Sequence, residues 1–231
     1  MTMCMRMLYK VFPEIKAFGC CHEVFGTQKL LCGILEDTKG IKDIKREEIK
    51  VNVVGINHFT WLTKANYRDV DIFPLYREYC EKYRETGVPK KNGADESWHN
   101  KHFDSANKVK MDLFLRYGSI AAAGDRHLAE FCPGNWYLKN PETVERWCFG
   151  LTPVSWRKSN RETLLQKSED LASGKMDFEL NPSGEEGVIQ MKAILGLGDI
   201  VTNVNIPNYG QIPNLPIGAV VETNARLPLT A

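Results

Sequence analysis

The chain has 231 residues, 43% of them hydrophobic and 26% charged, with a formal net charge of +1. That suits one globular core, or a domain with a further piece, and excludes a disordered chain. The near-neutral balance gives no footing for nucleic acid as a partner, no apolar run approaches the roughly 20 residues of a membrane helix, and seven cysteines without a CxxC pair imply free thiols in a reducing, cytoplasmic setting.

In chain order, residues 3–12 space their apolar positions as a helix and stop before Pro13. Residues 15–21 form a short apolar run that reads as a buried strand. Residues 23–35 offer Val24, Leu30, Leu31, Ile34 and Leu35 to one helical face, and the charged stretch 36–50 reads as a solvated connector. Residues 51–56 are a β-branched strand running into Asn57-His58-Phe59, with 60–65 continuing as strand. A helix follows over 72–83, then a polar loop over 85–101, then an amphipathic helix over 107–117 before Gly118. The charged region 157–187 holds an exposed helix over 161–172. Ser183 with Glu185 and Glu186 is placed to cap a helix over 188–195. Residues 200–206 alternate as a strand, and a Pro- and Asn-rich tail leads to the apolar run 217–221. This irregular alternation predicts a mixed α/β to α+β fold, not a doubly wound sheet. Gly196-Leu197-Gly198 lacks the third glycine of a dinucleotide fingerprint, so no nucleotide-binding domain is read here.

Four segments could carry chemistry. Gly19-Cys20-Cys21-His22-Glu23 lies where a predicted strand passes into a helix. A thiolate there is a soft metal ligand, and a pair of buried cysteines is the plainer reading. Gly55-Ile56-Asn57-His58 ends a buried strand; His58 is either a hydrogen-bonded core residue or a second ligand sharing an ion with Cys21. In Ala121-Ala122-Ala123-Gly124-Asp125-Arg126-His127-Leu128-Ala129-Glu130 four ionisable groups follow small residues, as a site or as a surface ion pair with a capping histidine. Asn203 to Pro216 is rich in Asn, Pro and Gly, suited to a polyhydroxylated ligand and equally to a structural turn. His99 and His102 have metal-site spacing but read as a solvated loop.

At these four segments the chain resembles glycoside hydrolase family 4. Cys21-His22-Glu23-Val24 is similar to the signature of its uronic-acid subgroup. Gly26-Thr27-Gln28, Gly55 to Trp61, Gly124 to Phe131 and Asn205 to Pro216 resemble bacterial members that cleave α-linked galacturonides. The resemblance implies a lactate dehydrogenase-like C-terminal catalytic domain. Residues 1–21 would be the last helix-strand piece of a Rossmann domain, and 22–231 a catalytic and substrate domain incomplete at its C-terminal side. It further implies NAD in the complete protein, and Mn²⁺ or another divalent metal. The chemistry is oxidation at C3 of the sugar, loss of the C2 proton and elimination at C1.

Carried onto this sequence, the resemblance makes Cys21 and His58 the metal ligands. His22 and Glu23 are candidates for acid assistance and substrate contact. Asp125 is the favoured C2 base, with Tyr117 the other candidate. Asn57, His127 and Asn205 contact substrate, and Arg126, from its chemistry, suits the uronate carboxylate. The chain itself would be inactive and would bind no NAD. The implied partners are a galacturonide or glucuronide oligosaccharide and a second copy in a homodimer or larger homo-oligomer, with no nucleic acid or membrane. An α-glucuronidase, a non-catalytic remnant that only associates with a full-length relative, and a malate or lactate dehydrogenase-like oxidoreductase are the alternatives; the Cys21/His58 pair argues against the last.

Overall fold

A computed structural model of the chain describes residues 1–88, 102–181 and 183–228, so His99 lies outside the described residues. Helix α1 (Thr2–Val11) closes where the Phe12 N–H reaches Leu8 O, one residue before Pro13. The strand expected over 15–21 does not form. Only Gly19 pairs, exchanging backbone hydrogen bonds of 2.9 and 2.8 Å with Asn205, because no strand runs alongside the rest of the segment. Helix α2 (Glu23–Lys39) outruns its expected end. Its last turn is charged, and it stops where Gly40 turns left-handed (φ +68°) and returns its N–H to Glu36 O.

Strands β1 (Ile49–Ile56) and β2 (Phe59–Tyr67) form an antiparallel hairpin around the two-residue turn Asn57-His58, with Ile56 opposite Phe59 and one irregularity at Asn52/Val53. The short strands β3 (Val70–Asp71) and β4 (Ile120–Ala121) pair with β2. Helices α3 (Phe73–Tyr83) and α4 (Lys108–Tyr117) join α2 in the main core. There Leu31, Ile34, Leu35, Val53, Leu62, Tyr76 and Phe114 are all 1% exposed or less. Burying each such side chain contributes about 1.5–3 kcal/mol. A second cluster, with Val109, Leu113, Ala123, Leu128 and Tyr137, gathers the short helices α5 (Asp125–Phe131), α6 (Gly134–Tyr137) and α7 (Pro141–Trp147).

Helix α8 (Val154–Ala172) buries none of its residues, as its charge pattern predicts, but begins at Val154 and not at 161. Helix α9 (Gly187–Ile194) has no side-chain cap. The expected caps are occupied elsewhere: Glu186 accepts from Arg46 Nη2 at 2.9 Å and from the Thr202 hydroxyl, and Ser183 Oγ accepts from Glu185 N. Strands β5 (Ile200–Pro207) and β6 (Val220–Leu227) make a separate antiparallel hairpin. It is fastened to β1 where Val53 N donates to Asn224 Oδ1 at 2.6 Å. The architecture is mixed α/β, and no helix among the described residues is long and apolar enough to cross a membrane.

Candidate functional site

The turn between β1 and β2 carries His58 at φ +66°, a left-handed conformation that costs a residue with a Cβ about 1–2 kcal/mol. Gly55, just before it, has φ +136°, and a Cβ there would stand 2.7 Å from Phe59 O, so only glycine lets the hairpin close this tightly. The strained turn holds the half-buried His58 ring against His127, with centroids 4.2 Å apart and planes 29° apart. Burial, and then the neighbouring His127, push the His58 pKa down, favouring the neutral imidazole a metal requires.

His127 reaches this position from the first turn of α5. Glu23 reaches it from the first turn of α2. Glu23 Oε2 accepts from Gly124 N at 2.9 Å, and Oε1 lies 3.7 Å from His127 Nε2. Donor atoms of Glu23, His58 and His127 all fall within 4.8 Å of one another. On the far side of the ring, His127 Nδ1 is buried without a hydrogen bond, 3.8 Å from Glu130 Oε2.

Cys21 lies outside that three-donor group. Its half-buried thiol is hydrogen-bonded by the Glu23 backbone and the Asn57 side chain. Burial pushes its pKa up, and Glu222 and Glu23 add to the rise. Asn57 in turn donates to Glu222 Oε2 at 3.2 Å. Glu222, 1% exposed, also accepts from Thr60 Oγ1 at 2.9 Å and Asn203 Nδ2 at 2.6 Å, and the same Asn203 nitrogen lies 3.0 Å from Cys21 O. One buried carboxylate therefore ties β6 to the His58 turn and to the Cys21 segment. Sequence reading passed over Glu222; its only signal is an acid directly after the apolar pair Val220-Val221.

Other predicted residues stand elsewhere. Asp125, expected as a base, is fully buried, with both oxygens on the start of α4: Oδ2 accepts from Val109 N at 3.1 Å and Oδ1 from Lys110 N at 3.0 Å. Burial raises its pKa, opposed by the Ser105 hydrogen bond and the Lys110 charge. A carboxylate accepting from two backbone donors anchors the start of that helix. Tyr117 is exposed at the end of α4, edge-on to Trp61 at 6.0 Å. Arg126 turns away from the donor group, giving Nη1 to His102 O and Thr152 Oγ1 and laying its guanidinium 4.6 Å over Phe103. His22 is exposed, its Nδ1 2.9 Å from Glu185 Oε1. Asn205 is wholly buried opposite Glu222 in the β5–β6 ladder, and neither of its amide atoms has a partner. His102 lies tilted against Trp156, with ring centroids 4.9 Å apart.

The donor set of carboxylate and imidazole, with a thiol beside it, fits a borderline divalent cation of the first transition series. A Glu at the start of one helix, bonded to the start of another, fixes the site from both sides.

Residues 53–228 match the family 4 glycosyl hydrolase C-terminal domain. An alpha-galacturonidase from Thermoanaerobacterium saccharolyticum is 61% identical over 97% of this chain and 48% of its own length. The Bacillus subtilis alpha-galacturonidase is 55% identical over 97% of this chain and 49% of its own. The chain spans about half the length of the curated relatives it matches. Among solved structures, LplD of Bacillus subtilis superposes with a TM-score of 0.89 at 54% identity, covering 98% of this chain and 51% of that one. A 6-phospho-beta glucosidase from Thermotoga maritima, crystallised with manganese, NAD⁺ and glucose-6-phosphate, shares the fold at a TM-score of 0.56 and 14% identity, covering 98% of this chain and 45% of that one.

Proposed function

This chain belongs to family 4 of the glycosyl hydrolases, and from that premise we propose that the whole protein hydrolyses α-linked galacturonides. The observation that carries the proposal is Glu23, the acid of Cys-His-Glu-Val, bonded to Gly124 and turned toward His127 beside His58. That joins the segment similar to the uronic-acid signature to the two other segments that resemble galacturonide-cleaving enzymes.

The residues divide the work as follows. His58, with Cys21 beside it, would hold a divalent ion such as Mn²⁺. When bound, that ion would withdraw charge from neighbouring sugar oxygens, and NAD⁺ in the whole protein would accept hydride. Asn57, buried and anchored by Glu222, offers its amide to a sugar hydroxyl, and Asn205 brings an amide with no internal partner. His22, exposed at the start of α2 with its Nδ1 2.9 Å from Glu185 Oε1, is placed to hand a proton to a leaving oxygen. Arg126 keeps guanidinium donors beyond the one given to Thr152 and His102, which suits a uronate carboxylate. The two candidates for the C2 proton lie at opposite ends of α4: Asp125 against its first residues and the exposed Tyr117 at its last. Residues 1–21 are assigned to a cofactor-binding unit and 22–231 to the substrate-bearing one. A cytoplasmic setting and a homo-oligomeric state complete the reading.

The test is release of galacturonate from digalacturonate by the whole protein, under reducing conditions, with NAD⁺ and Mn²⁺, beside an α-glucuronide. Release that needs both cofactors supports the proposal. Turnover of the glucuronide alone would transfer it to the C4 epimer, and turnover of neither would end it.

A further inference from the structure

We infer that Glu23 and His127 are metal ligands alongside His58, so that a carboxylate and two imidazoles hold the ion on one side and leave open positions for oxygen ligands on the other. The spacing of the donors is the first reason. Glu23 Oε1 and His127 Nε2 are 3.7 Å apart, beyond hydrogen-bond reach, and the whole set lies within 4.8 Å. An ion about 2.1 Å from each donor holds the donors about 3–4 Å apart, which is the gap these groups leave. A direct Glu–His hydrogen bond would have drawn them closer.

The second reason is how each donor is held. Glu23 spends Oε2 on Gly124 N and keeps Oε1 toward the imidazoles, so the carboxylate is oriented before any ligand arrives. His127 has a buried, unpartnered Nδ1 facing Glu130 Oε2 at 3.8 Å, the carboxylate behind a ligating histidine that sets its ring. His58 sits at φ +66° in the two-residue turn, which holds its ring against His127. The two imidazoles stack with centroids 4.2 Å apart, which brings a nitrogen of each to the same side of Glu23.

A site with two histidines and one carboxylate on one side suits an octahedral ion such as Mn²⁺, Fe²⁺ or Co²⁺, whose remaining positions accept water or two adjacent hydroxyl oxygens of a sugar. The inference rests on the metal-dependent part of the proposed function and not on its substrate. It is therefore tested without any glycoside.

The experiment measures Mn²⁺ affinity by calorimetry and electron paramagnetic resonance, and the visible spectrum with Co²⁺, for the protein and for Glu23→Gln, His127→Gln, His58→Ala and Cys21→Ser. Thermal melting without metal checks that each variant folds. Glu23→Gln keeps the oxygen that Gly124 needs, and His127→Gln keeps a polar side chain of similar reach. Loss of affinity on the order of tenfold or more in both, with a shifted Co²⁺ spectrum, is the expected result. Unchanged affinity and spectrum in folded Glu23→Gln and His127→Gln, with loss confined to His58→Ala and Cys21→Ser, would overturn the inference and leave the two-residue site. Galacturonate release plays no part in either outcome, so a failure of the proposed activity is read separately.

Discussion

Glu23 and Gly124, 101 residues apart, are joined by a 2.9 Å hydrogen bond that ties the first turn of α2 to the start of α5. Glu23→Ala removes the acceptor and leaves a partly buried N–H without a partner. The unfolding free energy from urea titration should fall by about 1.5–3 kcal/mol, the range for a hydrogen bond to a charged group. Glu23→Gln should fall by less than half as much. Equal losses in the two would show that the bond to Gly124 is not what the carboxylate contributes.

Asp125 answers two open amides of α4 from full burial. Asp125→Asn keeps the shape but turns one oxygen into a donor facing another donor, and withdraws the charge opposite Lys110. The expected cost is about 1.5–3 kcal/mol, the range for a hydrogen bond to a charged group. A variant with near-native stability and no turnover would instead support Asp125 as a base.

Lys110 gives a pH-dependent readout. It is wholly buried, its Nζ donating to Thr27 Oγ1 at 2.6 Å, and burial drives its pKa down to about 8 against the pull of Asp125 and Glu23. The folded value lies below the unfolded one, so between about 8 and 10.5 the unfolded chain binds more protons and this group makes stability rise with pH. Lys110→Met lacks that contribution. The stability of Lys110→Met relative to the parent should be most favourable below pH 8 and decline toward pH 10.5. A difference that stays flat across that window refutes the assignment.

His58 pays a conformational penalty that another residue would escape. Glycine occupies the left-handed region freely, so His58→Gly should melt at or above the parent temperature, with a gain of up to about 1 kcal/mol. The same variant should lose Mn²⁺ affinity. Lower stability without metal would mean that stacking on His127 outweighs the strain.

Much of this was legible in the sequence, and what was not has a common cause. The β-branched run 51–56 followed by Asn57-His58 read as strand and turn because alternation and turn chemistry are local. The segments holding Glu23, His58 and His127 come together in the fold, and the tight donor group leaves Cys21 beside it. Contacts went unseen where the partner is distant. Only the fold brings Asp125 the open amides of α4. Only the fold brings Arg126 to Phe103 and Thr152. Glu222 meets Asn57 across 165 residues, a pairing no local pattern encodes. The run 15–21 was apolar enough for a strand, but a strand needs a neighbour along its length, and only Gly19 has one.

The carboxylate of Glu222 has a consequence for the order of assembly. It closes the site from β6, near the end of the described chain, onto a turn whose own hairpin is among the most local structures in the molecule. The β1–β2 hairpin can form early, while the loop that Glu222 must close is long and costs entropy before any contact repays it. Refolding should thus show the hairpin and its helices gaining protection from hydrogen exchange first. Competence to capture a cation should arrive in a later, slower phase, making ion capture a clock for the final step of folding.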